Sequence, residues 1–446
     1  MKTYKTSQIA ALCGVHPNTV RLYEELDYIP PVPRAENGYR VYGEIHLVKE
    51  GFVMVIFNQD EYIERCLKKL SVEIGQRPAG SRANRTAADF IAGEMEQAGY
   101  KVTVQEYPCP DWRALSVELT VAGKKVPAIV NTHSPSCDTE GVLVPVSSAE
   151  DLRDIDLTGK IALVHGDITR GGFMPRNFDR RYYFDEIKDR FIELLVRSRP
   201  VAIIAVSHYD IPLPVLQDSE LDIPSVSVHR DEVPLLLGNS GSAARLKIVA
   251  ESRESTGSNL IGRRGNGEKK ILLCAHYDSF PGTPGAMDNA AGIAALLLLA
   301  RNLREVETKA AIELVAYGGE DSWFPGDALY IQEYPPDDLI AAINIDGIGF
   351  KDANRMAAFF GCPDELVSRI TETAKRFGNF IEGPFYESDH GFFWPLGIPT
   401  LAFTSMCMEL LGKVTHTVND TMDLLDISKI GHTAGLALEI VKMFDE

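Results

Sequence analysis

The stretch HYDSFPGTPGAMDNAAG, residues 276–292, decides the fold because it joins two apolar segments through a loop rich in glycine and proline. ILLCA precedes it and IAALLLLA follows it, which is typical of a buried strand leading into a buried helix. The stretch itself carries His276, Asp278 and Asp288. A histidine and two aspartates between buried elements are candidate metal ligands, and a metal site needs further ligands from elsewhere in the chain.

The segments after this stretch continue the same alternation of strand and helix. AAIELVAY, DLIAAINI and GIPTLAFTS have the apolar composition of buried strands, and ISKIGHTAGLALEIVKMF has the spacing of a closing helix. Apolar strands that alternate with helices form sheets covered on both faces. The sequence therefore predicts an α/β fold with a mixed, mostly parallel sheet and helices on both faces.

Further candidate ligands stand where these strands are predicted to end. They are Glu320 and Asp321 after AAIELVAY, Asp346 after DLIAAINI, and His416 after the last strand. Alternate side chains of a strand point the same way, so His276 and Asp278 emerge together, and Asp278 can orient the imidazole. Ligand crevices of open α/β sheets lie at the carboxyl ends of strands. Histidines with carboxylates suit zinc, and this many ligands fit two ions that share one carboxylate.

Each of these motifs has an ordinary explanation when taken alone. An isolated H-x-D is usually structural, and the pair Glu320 and Asp321 is more often a solvated turn. His390 and His432 are compatible with hydrogen-bonded histidines, and we prefer that interpretation for His432, which lies inside a helical pattern. Five motifs follow one another in the order H-x-D, D-N-A-A-G, E-D, N-x-D and H-T-x-x-D-T. Each of them closes a strand or opens a helix, and this order favours a common site.

From about residue 58 to the end, the chain resembles the di-zinc exopeptidases, which include bacterial leucyl aminopeptidases, glutamate carboxypeptidases and plasma-type carboxypeptidases. The resemblance is carried by HYD (276–278), MDNAAG (287–292), GGED (318–321), NID (344–346), SDH (388–390) and THTVNDT (415–421). It implies five zinc ligands, namely His276, Asp288, Asp321, Asp346 and His416, with Asp288 bridging two zinc ions. It also implies that Asp278 orients His276, that Glu320 is the general base for the attacking water, and that Asp389 and His390 have supporting roles.

The chain departs from the family pattern at two positions. The family usually has two glutamates where this chain has Glu320 and Asp321, and aspartate is shorter by one methylene, so the geometry at one zinc must adjust or that ion binds more weakly. Many members carry a tyrosine before the last ligand that stabilises the oxyanion, and this chain has Thr415. Oxyanion stabilisation then falls to zinc or to another donor.

The N-terminal segment, residues 1–57, resembles the MerR-type winged helix-turn-helix. The likeness lies in TSQIAALCGVHPNTVRLYEELDYIPP and NGYRVY, which predict two short helices and a wing. The resemblance implies DNA-facing or wing roles for five residues: Arg21, Tyr23, Arg34, Tyr39 and Arg40. The dimerisation helix that normally follows is missing, and the segment holds six Lys/Arg against six Asp/Glu. The alternative is a remnant domain that packs on the enzyme or mediates assembly.

The remaining middle part, residues 113–255, is predicted to be a strand-rich insert. LTGKIALVHGD, PVAIIAVSHYD and DIPSVSVH resemble a protease-associated domain, which in this family often lies over the active-site cleft. A purely structural role is the alternative. The predicted organisation is a winged helix-turn-helix at 1–57, a catalytic domain at 58–112 and 256–446, and the insert between the two catalytic parts.

Composition limits the classes of function. A net charge of −18 argues against general affinity for nucleic acid or anionic membranes, and the longest apolar run is far short of the ~20 residues that span a bilayer. Seven cysteines without CxxC pairs, and no recognisable signal peptide, predict reduced thiols in a cytoplasmic protein. We expect a zinc exopeptidase, most readily an aminopeptidase that acts on peptides, with a homodimer as one assembly. A transcription regulator that senses a peptide or amino acid is the alternative, and a carboxypeptidase or a glutaminyl cyclase is compatible with the same scaffold.

Overall fold

The structure is a computed structural model that describes residues 3–13, 17–18, 21, 32–35, 38–43, 48–49, 52–53, 58–176, 185–322, 326–378, 380–406 and 410–445. The chain divides into two compact units, Met1–Tyr62 and Ile63–Glu446. The boundary between the units lies close to the predicted end of the N-terminal segment at residue 57. The further division of the larger unit into a catalytic domain and an insert stays a prediction.

The smaller unit contains the first helix and the wing that the sequence predicts. Helix α1 spans Thr6–Cys13, and strand β1 (Thr3–Tyr4) pairs antiparallel with β2 (Tyr42–Gly43). A hairpin turns at Gly38, where the amide of Ala35 donates to the carbonyl of Tyr39 and the amide of Val41 donates to the carbonyl of Pro33. β3 (Val48–Lys49) and β4 (Phe52–Val53) form a second short hairpin. The second predicted helix falls largely outside the described residues, of which 17, 18 and 21 are helical.

Further α-helices follow α1 in the described residues, and the first of them, α2, begins in the smaller unit. They are α2 (Gln59–Leu67), α3 (Arg82–Gln97), α4 (Glu186–Arg197), α5 (Val233–Gly238), α6 (Ala291–Leu303), α7 (Gly326–Glu333), α8 (Asp364–Ala374) and α9 (Ile427–Asp445). A π-helical segment, Lys68–Ile74, directly continues α2. No helix in the described part of the chain is long and apolar enough to cross a membrane.

The strands of the larger unit follow the predicted order. They are β5 (Lys101–Val121), β6 (Lys124–Val126), β7 (Ile129–Val130), β8 (Cys137–Val146), β9 (Lys160–Val164), β10 (Ala202–Ser207), β11 (Ser225–His229), β12 (Ala243–Arg264), β13 (Lys270–His276), β14 (Ala311–Tyr317), β15 (Leu339–Ile345), β16 (Asn354–Phe360), β17 (Phe380–Glu382) and β18 (Thr400–Met406). The predicted strands before Glu320, Asp346 and His416 are thus observed as β14, β15 and β18.

All of these strands belong to one mixed sheet that confirms the predicted fold class. Along it the order is β17-β16-β18-β15-β13-β14-β12-β8-β9-β10-β11-β7, and β5 pairs with β12 and with β6. β14, β13, β15 and β18 pair in parallel as neighbours, as do β8, β9, β10 and β11. The carboxyl ends of β14, β13, β15 and β18 therefore meet at one edge, where the sequence analysis predicts the ligands.

The long strands β5 and β12 form a ribbon that was not foreseen. They pair antiparallel from Lys101 and Arg263 to Val121 and Ala244, with a register shift between Val249 and Ala250. The predicted borders of the insert, residues 113 and 255, lie inside these two strands. The pattern misses the ribbon because its middle residues are exposed, so the strands lack a continuous apolar face there.

Buried apolar side chains explain why the central strands form. Every residue of β13 is buried, and α6 buries nearly all of its side chains although it is only thirteen residues long. A strand and a helix of this kind can be stable only between other layers, which is the arrangement of a doubly covered sheet. The burial fixes the backbone on both sides of residues 277–290, where the candidate ligands lie.

Candidate metal centre and active site

His276 ends strand β13 and is fully buried together with Asp278. Asp278 Oδ1 lies 3.4 Å from His276 Nδ1, on the side of the ring opposite Nε2. Asp278 also accepts hydrogen bonds from the amide of Glu320 at 3.1 Å and from the amide and hydroxyl of Ser322, both at 3.1 Å. Asp278 thus fixes the imidazole and, at the same time, the turn that carries Glu320.

One group of candidate ligands surrounds His276 Nε2. Asp288 Oδ1 lies 3.1 Å from this nitrogen, and Asp346 Oδ1 lies 3.3 Å from it. Asp346 directly follows β15, which pairs in parallel with β13, so both strands deliver a ligand to the same edge. One histidine and two carboxylates converge there.

A second group shares Asp288 and contains His416. Asp288 Oδ2 lies 3.2 Å from His416 Nε2, and Asp321 Oδ1 lies 2.9 Å from the same nitrogen. The aspartate at 321, where the family usually has glutamate, therefore still reaches the second histidine. The two groups, His276 with Asp288 and Asp346, and Asp288 with Asp321 and His416, each keep one ligand atom per residue within 4.8 Å of the others.

The donor set and its spacing fit zinc. Ligand atoms about 2.0–2.1 Å from a tetrahedral zinc ion lie about 3.3 Å from one another, close to the separations of 2.9 to 3.3 Å seen in the two groups. His276 Nε2 is buried and makes no hydrogen bond to any residue that the structure describes, and the same holds for Asp321 Oδ2. Buried polar atoms without hydrogen bonds are costly unless they serve another purpose, such as metal ligation.

The electrostatics of the cluster favour positive charge. Burial lowers the pKa of His276, but the carboxylates of Glu320 and Asp346 outweigh this effect and raise the pKa well above its ordinary value. Burial likewise lowers the pKa of His416, and Asp321 and Asp288 raise it beyond its usual range. Burial and, next, the neighbouring Asp288 carboxylate raise the pKa of Asp321 to about 6. A bound cation would compensate the negative charge of the carboxylates, as protons on the two histidines do without a metal.

Glu320 lies at the rim of the cluster. Its Oε2 is 3.9 Å from His276 Nε2, and its side chain is 26% exposed, more than Asp288 or Asp346. Burial raises the pKa of Glu320 well above the ordinary value, although His276 acts in the opposite direction. Among the predicted site residues that the structure describes, Glu320 is therefore the carboxylate that lies near the candidate ligands and is also open to solvent.

Asp420 and Arg77 hold the loop before Asp288, and neither was assigned a role from the sequence. Asp420 is buried, and its carboxylate accepts from the amides of Met287 at 2.7 Å and Asp288 at 3.0 Å. Buried Arg77 donates to four backbone carbonyls, those of Gly75, Tyr277, Pro284 and Gly285. The only signals were a second aspartate within THTVNDT and an arginine within the Gly/Pro-rich QRPAGSR.

Asn289 and Gly292 fix the other side of Asp288. The Asn289 amide group donates to the carbonyl of Ile345 at 2.9 Å and accepts from the amide of Gly292 at 2.9 Å. A Cβ at Gly292 would overlap Asn289 Oδ1 and the carbonyl of Ile345. This contact joins the start of α6 to the end of β15, next to Asp346, so MDNAAG needs glycine at its last position.

The SDH motif lies beside the centre in a supporting position. Asn344 Nδ2 donates to the hydroxyl of Ser388 at 2.8 Å and lies 3.3 Å from His390 Nδ1, and His390 Nε2 lies 2.6 Å from the carbonyl of Phe385. Burial lowers the pKa of His390 to about 4, so its ring is neutral near pH 7. Asp389 is buried and its carboxylate makes no hydrogen bond to a described residue. Neither Asp389 nor His390 belongs to the two ligand groups.

His416 lies on a loop with unusual backbone geometry. Its φ is 62°, in the left-handed region that side chains other than glycine rarely adopt. The ring stacks on Phe280 with a centroid separation of 4.6 Å and an interplanar angle of 9°. Thr415, which stands where many relatives have tyrosine, accepts from the amide of Gly412 through its carbonyl at 3.2 Å.

The predicted DNA-facing residues lie in the smaller unit and are described in part. Arg21 is exposed, with a hydrogen bond of 3.2 Å to Asn18, and Arg34 donates to the carbonyl of Gly38 at 3.3 Å. Tyr39 is 74% exposed. The backbones of Arg40 and Arg34 form an antiparallel β-bridge across the hairpin. Tyr23 lies outside the described residues.

Comparison with known proteins identifies the region around this site. The pattern of peptidase family M28 matches residues 259–441, a range that contains all the candidate ligands and Glu320. Residues 259–441 are therefore similar to peptidase family M28. The pattern of the MerR family of regulatory proteins matches residues 5–42, inside the smaller unit.

Curated relatives of the M28 region include named aminopeptidases. Aminopeptidase YwaD of Bacillus subtilis is 27% identical over 296 residues, which are 64% of this chain and 60% of that protein. Probable leucine aminopeptidase 2 of Aspergillus fumigatus is 23% identical over 269 residues, which are 57% of this chain and 50% of that protein. The chain thus spans about half or somewhat more of the length of these relatives.

Solved structures confirm the fold of the larger unit. An aminopeptidase from Aneurinibacillus sp. strain AM-1 superimposes with a TM-score of 0.70 at 24% identity, covering 86% of this chain and 93% of that chain. BSAP, a zinc aminopeptidase from Bacillus subtilis, gives a TM-score of 0.66 at 21% identity, covering 86% of this chain and 94% of that chain. Both superpositions cover more of the chain than residues 259–441, so the shared fold includes much of residues 63–258 as well.

Proposed function

We propose that this protein is a zinc-dependent aminopeptidase that removes N-terminal residues from peptides. The observation that carries the proposal is the pair of ligand groups that share Asp288, within a region of family M28. His276 and Asp346 would complete one zinc site, and Asp321 and His416 would complete the other. The similarity of the chain to named aminopeptidases supports the substrate class.

The chain's own residues have separable tasks in this proposal. Zinc, when bound, supplies Lewis acidity that polarises a peptide carbonyl and acidifies water. Glu320, near the ligands and open to solvent, takes a proton from the attacking water and delivers it to the leaving amine nitrogen. Asp278 keeps His276 Nε2 turned towards the site because it faces Nδ1 on the other side of the ring.

An argument against a carboxypeptidase comes from Arg77. A carboxypeptidase must bind the terminal carboxylate of its substrate, and guanidinium groups are suited to that task. Arg77 is fully buried, and its donors are used by the backbone carbonyls of Gly75, Tyr277, Pro284 and Gly285. The buried cation beside this site therefore serves the loop before Asp288 and is not offered to a substrate.

The test is a comparison of substrates that differ only at their ends. The purified full chain with zinc should hydrolyse leucine anilides and dipeptides with a free amino group, and should leave the N-acetylated forms intact. Glu320→Gln protein is the matched negative control. Release of C-terminal residues from N-blocked peptides would indicate a carboxypeptidase instead, and cyclisation of N-terminal glutamine without hydrolysis would indicate a glutaminyl cyclase.

We infer a second, compatible function, DNA binding by the smaller unit, from the MerR match to residues 5–42. The exposed side chains of Arg34 and Tyr39 on the wing hairpin support this proposal. The even charge balance of residues 1–57 leaves few phosphates to neutralise, so we expect weak binding by a single copy and a shallow salt dependence. MerR-like readers bind paired half-sites, so specific binding would require a dimer formed through residues after 58.

Selection from random duplexes with the full chain, combined with sedimentation, tests this second function. We expect the full chain to be a dimer that enriches one DNA sequence. Arg21→Ala or Arg40→Ala should abolish this enrichment, whereas the control Lys124→Ala in the larger unit should keep it. A monomer that enriches no sequence, and whose behaviour these substitutions leave unchanged, would favour the remnant-domain alternative.

A further inference from the structure

A loop from the predicted insert contacts the loop that carries His416. The insert loop, residues 208–213, follows β10, and the ligand loop, residues 410–417, follows β18. The amide of Ile211 donates to the carbonyl of Gly412 at 3.1 Å, and Lys413 Nζ lies 3.6 Å from Asp210 Oδ2. Tyr209 packs so closely on Gly412 that a Cβ there would lie 2.5 to 2.8 Å from its Cβ, Cγ and Cδ1.

The insert loop is itself tied to the body of the insert. Arg230, just after β11, donates to the carbonyl of His208 and pairs with Asp210 Oδ1 at 2.9 Å. Ser207, the last residue of β10, accepts from the amide of Leu213 through its hydroxyl at 3.0 Å. The loop therefore extends from two buried parallel strands and can act as a fixed support.

The ligand loop needs such a support because of its own geometry. It is a series of tight turns, in which the amide of Val414 donates to the carbonyl of Leu410 at 2.8 Å and the amide of Thr417 donates to the carbonyl of Val414 at 3.1 Å. It contains two residues with left-handed backbones, Gly412 with φ of 74° and His416 with φ of 62°. A histidine in that region persists only when its surroundings determine its position.

We propose that Tyr209, Asp210 and Ile211 are positioning residues that hold His416 in place, so that the insert sets the affinity of the second zinc site. The proposal rests on the proposed function in one respect, that His416 is a zinc ligand. Phe280 supports the imidazole ring, whereas the insert loop supports the backbone four residues before it. On this proposal, the insert is part of the support of the metal centre.

The experiment places a methyl group between the two loops. Gly412→Ala should push the ligand loop away from Tyr209, and Gly159→Ala is the matched control because its φ is 73° and a Cβ there meets nothing within 4 Å. We expect zinc affinity at the weaker site, measured by chelator competition, to fall about 10–100-fold in Gly412→Ala, as for other partners that orient ligands. Hydrogen exchange of peptides covering residues 410–421 should rise in the same variant, and neither quantity should change in Gly159→Ala.

Two further variants make the result independent of the strain at Gly412. Tyr209→Ala removes the packing without adding an atom, and should also weaken the second zinc site and raise exchange in the ligand loop. The double variant Tyr209→Gly with Gly412→Ala should bind zinc more tightly than Gly412→Ala alone, because the three nearest atoms to the new Cβ all belong to Tyr209. Circular dichroism and thermal unfolding would establish that each variant is folded.

The proposal is overturned if Tyr209→Ala and Gly412→Ala match Gly159→Ala in zinc affinity and in exchange. This outcome differs from failure of the proposed function, in which the wild-type chain binds zinc yet hydrolyses no peptide. In that case chelator competition and hydrogen exchange still test the support of His416. If the wild-type chain binds no zinc at all, both proposals are wrong.

Discussion

Asp288 is the residue on which the two ligand groups depend, because its oxygens face different histidines. Oδ1 lies 3.1 Å from His276 Nε2 and Oδ2 lies 3.2 Å from His416 Nε2. Burial raises the pKa of Asp288, but the two neighbouring imidazoles outweigh this effect and hold the pKa well below its ordinary value. An ionised carboxylate that faces both histidines suits the bridging role that we propose for Asp288.

The sequence could indicate these candidate ligands because the capacity to bind a metal is a property of side chains. His276, Asp288 and Asp346 stand at the ends of recognisable strands and helices, and Asp321 and His416 lie within motifs. Asp420 and Arg77 were missed because they act on backbone amides and carbonyls, which every residue has and no motif displays.

Substitution of Glu320 separates chemistry from metal binding. Glu320→Gln should lower turnover about 10²–10⁴-fold, the usual contribution of a positioned general base, while zinc content stays at the wild-type level. Asp288→Ala should lower both, since it removes a ligand from each group. Turnover and elemental zinc are measured on the same preparations. Near-wild-type turnover in Glu320→Gln would exclude this residue as the base.

Asp420 should be needed for zinc binding although it belongs to neither ligand group and contacts backbone amides instead. Asp420→Ala removes the acceptor for the amides of Met287 and Asp288, so the loop that presents Asp288 should loosen and zinc affinity should fall about 10–100-fold. Asp426→Ala is the control, because Asp426 accepts from the amide of Ser428 at the start of α9, as a helix cap does. Equal zinc affinities in the two variants would show that Asp420 has no positioning role.

His133 should make the larger unit less stable in mild acid. Burial lowers the pKa of His133 to about 4 in the folded chain, from about 6.5 in an unfolded one. The neutral ring is therefore compatible with the fold above pH 6.5, and stability is lost as the pH falls from 6.5 towards 4. His133→Asn, which suits the φ of 68° at this position, should reduce the loss between pH 7.5 and 5.5 by about 1 kcal/mol in urea unfolding. Equal losses of unfolding free energy in the wild type and in His133→Asn would contradict this role of His133.

At the scale of elements, parallel strands bring the ligands together. β13 and β15 pair in parallel and end at His276 and beside Asp346, and β14 and β18 flank them. These strands were predictable because they are short, apolar and bounded by turns. The ribbon of β5 and β12 was not, since its exposed middle follows no hydrophobic period and its pairing is fixed by contacts between distant segments.

The close approach of α6 to β15 should be intolerant of any added atom. Gly292→Ala places a methyl group against Asn289 Oδ1 and the carbonyl of Ile345, so we expect loss of zinc and turnover together with a lower melting temperature. Gly431→Ala is a matched helical glycine in α9, where the added Cβ meets only Ile63 Cδ1 at 3.5 Å. That control should be neutral or slightly more stable, because alanine favours helices. Wild-type zinc content in Gly292→Ala would contradict the account of MDNAAG.

At the scale of the whole molecule, a MerR-like unit and a unit with an M28 region share one chain. Length and strand–helix alternation correctly indicated more than one unit and an α/β sheet, because both properties constrain architecture. Composition carries no geometric information on pairing between copies, so the homodimer remains a prediction. The cytoplasmic location likewise stays a prediction from cysteine usage.

The number of zinc ions bound per chain tests the central claim most directly. The full-length protein, saturated with zinc and freed of excess, should contain two ions by elemental analysis, because two ligand groups share Asp288. Stepwise chelation should remove first the ion held by Asp321 and His416, since Asp321 is the shortened ligand. A single tightly bound ion at saturation, or none, would contradict the account.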